Sequence, residues 1–196
     1  MSDIKSAREI AMEKIEKLGD LTEEERLKWK YVPQGEELAA KYIKGDCKLA
    51  AELGKYQEDV KKYVTEGAAE VLIRNIDLPR NDAAKRSNKI AMDGLKTLKS
   101  NKTEVENVYS QIRHLFNHYA EQGEQQRKQA YESLKAEFEA KIQQALQQQM
   151  GSFAGMKIDV AKQPQFQQEW RKVQAQLDSQ YLKLLSEYKQ VLSGIA

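Results

Sequence analysis

The sequence predicts an all-α protein: an elongated helical bundle in which a long helix leads into a C-terminal antiparallel, coiled-coil-like helical hairpin. Three observations carry this expectation. Only three prolines occur in 196 residues, and Lys, Glu, Ala, Gln and Leu dominate, which is the composition of long helices rather than of strands. Apolar side chains recur every three or four residues through most of the chain. Glutamates stand four residues before lysines at Glu13/Lys17, Glu24/Lys28, Glu37/Lys41 and Glu58/Lys62, the spacing of solvated helix faces.

The elements follow in order. Ile4, Ala7, Ala11, Ile15 and Leu18 define a first helix that Gly19 stops. Thr22 and Glu25 form a capping box opening a short helix toward Trp29 and Tyr31, which Pro33 and Gly35 are expected to end. Helical pattern resumes over 36–75, with Gly45-Asp46 as an interruption and Gly67 as a weak point. Within it Leu49, Leu53, Tyr56, Val60 and Tyr63 make a coiled-coil-like seam. At 75–81 the string NIDLPRN is a turn: Pro79 disfavours helical geometry at Leu78, and Asn81 or Asp82 caps the next helix, which runs to residue 100. This string is similar to the junction between tetratricopeptide repeats, but the repeat period of about 34 residues does not recur, so it reads as general helix–turn–helix chemistry.

From Thr103 the pattern stays helical to Met150. Val105, Val108, Ile112, Leu115, Phe116 and Tyr119 form one stripe; Tyr131, Leu134, Phe138, Ile142, Ala145 and Leu146 form a second, rotated by roughly 100°. The polar stretch 121–129 between them contains Gly123. An unbroken helix here would be about 70 Å long, against a radius of gyration of about 16 Å for a compact chain of this size. Either the helix breaks or hinges near 121–129, or the molecule is elongated. The expected organisation is therefore a bundle of four or five helices over 1–102, then the long helix and hairpin over 103–196.

After a loop at 151–164, the last helix, 165–192, carries the strongest periodicity. Phe166, Trp170, Val173, Leu177, Tyr181, Leu184, Tyr188, Val191 and Ile195 fall within an arc of about 80°. Covering all nine contributes roughly 13–27 kcal/mol as an upper bound, so the stripe demands a lid. The preceding helix offers a shorter one. The nine residues are accordingly expected to form an oligomer or partner interface, a homodimer being the favoured form.

Composition narrows the function classes. Basic and acidic side chains number 32 and 30, so no strong overall field draws nucleic acid or membrane. The lone Cys47 excludes an intrachain disulfide, a CxxC redox pair and a cysteine zinc site, and it has no neighbouring histidine in sequence to activate it. No apolar run approaches the roughly 20 residues of a membrane span, and 1–21 lacks the apolar core of a secretory signal; a cytoplasmic protein is expected. Residues 101–196 hold eighteen of the twenty glutamines, which suit protein contact because they repel neither charge sign.

No catalytic constellation emerges, and no cofactor or small-molecule substrate is expected. The leading expectation is a non-enzymatic interaction or assembly protein acting through the hairpin. An alternative is nucleic-acid association through Lys85, Lys89, Lys96 and Lys99, which share one helix face and could follow phosphates. A second is a helical metal site built on His114 and His118, the two histidines of the chain, with Glu121 one turn further along.

Overall fold

A computed structural model describes residues 22–150 and 159–195, with side chains throughout except at 146–150. Among these residues there are six α-helices and no strand: α1 (Glu23–Lys44), α2 (Leu49–Leu53), α3 (Glu58–Arg74), α4 (Asp82–Leu98), α5 (Lys102–Met150) and α6 (Pro164–Gly194), with a 3₁₀ turn at Val160–Lys162. The predicted first helix and most of the predicted 151–164 loop lie outside the described residues.

The described residues fall into two compact units. One comprises 22–76, 86–105 and 193–195; the other comprises 77–85 and 106–192. The divisions fall within α4, within α5 and near the end of α6.

In the first unit the start of α1 obeys its sequence signal. Glu25 N donates to Thr22 Oγ1 at 3.3 Å, and Thr22 N donates to Glu25 Oε2 at 2.8 Å, completing the capping box. The Thr22 backbone N–H, then its hydroxyl, hold the Glu25 carboxyl below its ordinary value. The helix does not end at Pro33, as expected, but runs on to Lys44, where Gly45 takes the left-handed conformation (φ 88°) that stops it. Packing overrides the proline, whose usual cost inside a helix is about 3 kcal/mol. Two residues after Pro33, Gly35 lies against the Val64 carbonyl and the Ala68 amide of α3, and Gly67 of α3 lies against the Val32 carbonyl. The two backbones approach so closely that neither glycine has room for a methyl group. Gly67, predicted as a weak point, is thus a contact residue.

The predicted seam from Leu49 to Tyr63 is not one helix. Gly54 to Gln57 separate α2 from α3, so no continuous coiled-coil ridge exists, although Leu49, Leu53, Val60 and Tyr63 are all buried. With Leu38, Val64, Leu72, Ile76 and Leu95 they form the core of this unit. Ahead of α4, the 75–81 turn sits where the sequence placed it, and Asn81 Oδ1 accepts the Ala84 amide at 2.8 Å as a helix cap.

The second unit is built on α5 and α6. Ring contacts pair Tyr119 with Tyr181, Tyr131 with Trp170 and Phe166, and Phe138 with Phe166, at centroid separations of 5.1–5.5 Å. Residue numbers rise on one helix as they fall on the other, so the hairpin is antiparallel. The expected break near 121–129 is absent: α5 is continuous through Gly123. That glycine is buried, and a methyl group on it would lie 3.3 Å from the Tyr181 hydroxyl. Its role is to admit the tyrosine against the helix backbone rather than to bend the helix.

Candidate functional site

The hairpin interior begins with a charge. Asp178 is 8% exposed and sits one residue beyond Leu177 on α6. Arg80, from the turn before α4, donates Nε to Asp178 Oδ2 at 3.1 Å, and Arg127 Nη1 stands 3.9 Å from Oδ1. Among the described residues, Oδ1 is the buried side-chain oxygen that meets no hydrogen-bond partner, and the carboxylate charge is balanced by Arg80 on one side and Arg127 on the other. The Arg127 guanidinium also lies 4.2 Å over the Tyr119 ring and donates to the Tyr119 carbonyl at 3.3 Å.

Titration in this cluster follows from its burial. The Tyr119 phenol is pushed above its ordinary value, first by burial and then by the Asp178 charge, with Arg127 opposing. Burial lowers the Arg80 value, but the hydrogen bond to Asp178 and the charges of Asp77 and Asp178 outweigh it, so the net shift is upward. Tyr181 stacks edge-on against Tyr119 and places its hydroxyl 3.0 Å from His118 Nδ1.

This arrangement rotates α6 relative to its predicted stripe. The buried line is Phe166, Asp178, Tyr181, Leu185 and Leu192, and its later part is centred about 70° around the helix from the centre of the nine-residue arc. Phe166, Tyr181 and Ile195, at 1%, 9% and 4% exposure, are buried within the chain itself and drop out of the expected interface. Trp170, Val173, Leu177 and Tyr188 are half-buried, while Leu184 and Val191 stay 42% and 49% exposed. The physical reason is the width of the apolar sector. With Leu182, Leu184, Leu185 and Leu192 included, it exceeds what the ridge of Leu115, Tyr119, Gly123, Tyr131 and Phe138 on α5 can cover.

The uncovered flank is a groove between α5 and α6 of about 740 Å³. Leu115, Val173, Leu177 and Leu184 line its apolar part, and Gln111, Gln126, Gln176 and Gln180 supply polar edges. Its lining holds no Lys, Arg, Asp or Glu; His114 and His118 are its ionisable nitrogens.

The other sequence candidates are dispersed. Glu121 does not join the histidines, since among the described residues no three of His, Cys, Asp and Glu converge to hold a metal. The lysine face is partly committed: Lys85 pairs with Asp82 at 3.1 Å, and Lys99 is half-buried with its ammonium on the Ile195 and Ser193 carbonyls. Burial holds Lys99 below its ordinary value, and its ammonium closes the end of α6 instead of standing ready for a phosphate. Cys47 donates to the Leu38 carbonyl at 3.8 Å, and burial raises its thiol, the reverse of nucleophile activation. Sequence reasoning missed the Arg80–Asp178–Arg127 cluster. Its signal was present: Asp178 is the one charged residue between Lys172 and Lys183, on a helix that otherwise spaces its charges closely.

These features define an all-helical protein whose second unit is an antiparallel hairpin with a neutral, half-open groove. The family model for DUF6657, a family of unknown function, matches residues 50–194, and the chain belongs to that family. No curated protein and no solved structure matches the chain. No described helix is long and apolar enough to cross a membrane.

Proposed function

We propose that this chain is a non-enzymatic assembly protein that pairs with a second copy of itself through the α5–α6 groove. The observation that carries the reading is the exposure of Leu184 and Val191, at 42% and 49%, beside a groove lined by aliphatic and glutamine side chains. A two-fold interface places the same patch against itself, so any charge in it would face its own like. A lining without carboxylates, ammonium or guanidinium groups avoids that penalty and offers amides that both donate and accept. The same neutrality argues against a phosphate backbone as the occupant, because such binding rests on lysine and arginine. A cytoplasmic setting accompanies the reading, supported by the single cysteine.

Sedimentation of the untagged chain over a range of concentrations tests it. A particle of twice the 22.5 kDa chain mass is expected, reverting to one chain in a Leu184→Glu/Val191→Glu variant of unchanged helix content. A wild-type particle of a single chain mass at every concentration would refute self-association and leave a different protein partner as the remaining occupant.

A further inference from the structure

The groove holds a second feature that hydrophobic docking does not use. His114 and His118 both line it, at positions four apart on α5 and therefore on one helix face about 6 Å from each other. Two histidines at this spacing are a bidentate chelate for a divalent transition metal. The residue after His114 is Leu115 rather than the glutamate of the hydrolytic HExxH pattern, so the pair does not carry that motif's general base.

The second observation is the orientation of His118. Its Nδ1 is 3.0 Å from the hydroxyl of Tyr181, a residue 9% exposed and wedged against Gly123. A histidine that ligates a metal through one nitrogen engages a second partner through the other, which fixes the tautomer and the ring plane. In the tautomer whose Nδ1 donates to the phenol oxygen, Nε2 carries the lone pair and is the nitrogen left for a metal. What the chain lacks is further ligands, since no third His, Cys, Asp or Glu converges on the pair among the described residues.

We infer that His114 and His118 are half of a zinc-type metal site, completed by the same two imidazoles of a second copy. This rests on the self-association proposed above: a two-fold axis beside the histidines gives four neutral nitrogen donors, the number a tetrahedral Zn²⁺ site takes. Tyr181 acts here as a positioning residue that does not touch the metal.

Calorimetric titration of the untagged full chain with ZnCl₂, paired with sedimentation, tests this. One zinc per two chains is expected, with a larger dimer fraction in its presence. Both effects should disappear in His114→Ala and His118→Ala, whose exposed positions leave helix content unchanged. Tyr181→Phe keeps the ring and should weaken zinc binding by about tenfold or more without changing the metal-free mass. A dimer that takes up no zinc, or one zinc per chain with no change in mass, overturns the metal site and leaves the assembly reading standing. A monomer at every zinc concentration overturns both.

Discussion

Arg80 and Asp178, ninety-eight residues apart in sequence, meet through a 3.1 Å Nε–Oδ2 hydrogen bond that ties the turn before α4 to the middle of α6. The acid is buried and the base is half exposed, so the pair is asymmetric. Removing the acid leaves Arg127 facing a neutral group in a poorly hydrated place. Asp178→Asn is expected to cost about 2–3 kcal/mol, toward the low end for buried pairs because water still reaches Arg80. Urea denaturation followed by circular dichroism measures this, and a loss below about 0.5 kcal/mol would show that the ion pair is incidental.

Adjacent leucines on α6 should behave oppositely. Leu185 is 2% exposed and Leu184 is 42% exposed. Leu185→Ala is expected to destabilise the fold by about 2–4 kcal/mol, whereas Leu184→Ala should stay within about 0.5 kcal/mol at concentrations where one chain stands alone. Equal costs at the two positions would mean that the rotation of α6 described above is wrong.

Three glycines give a contrast in sign. At Gly35 and Gly67 a methyl group would strike main-chain atoms of the facing helix, and Ala at either site should cost about 1–3 kcal/mol as α1 and α3 are forced apart. Gly54 has right-handed backbone geometry (φ −64°), and an added methyl group would come no nearer than 3.5 Å to its neighbours. There Gly→Ala should stabilise by about 0.4–1 kcal/mol through the unfolded chain. Thermal melts of the three variants suffice, and stabilisation at Gly35 or Gly67 would contradict the close crossing.

Tyr119 predicts an alkaline limit. Its folded value lies above 10.0, the ordinary value it regains on unfolding. Below that pH both states hold the proton and the contribution is constant. Above it the unfolded chain releases the proton first, so stability falls as pH rises through the folded value. Denaturation curves at successive pH values above about 9 should show a steeper decline for wild type than for Tyr119→Phe, and identical slopes would exclude this group as the source.

Sequence by itself determined the helical class, the capping box at Thr22, the stop at Gly45 and the turn before α4. Each of these is local: a side chain or a φ angle acts on backbone within a few residues, so the signal and its effect lie in the same short string. It also determined that α6 is amphipathic, since periodicity is a property of one helix alone. Only the tertiary structure decided that α1 passes through Pro33, because that outcome depends on Gly67 of another helix leaving room for the Val32 carbonyl. Likewise Gly123 was legible as a glycine among polar residues but not as the seat of Tyr181, fifty-eight residues further on. Which flank of α6 is buried was set by the Asp178 ion pairs and the narrow ridge of α5, interactions between distant segments that no single periodic pattern contains.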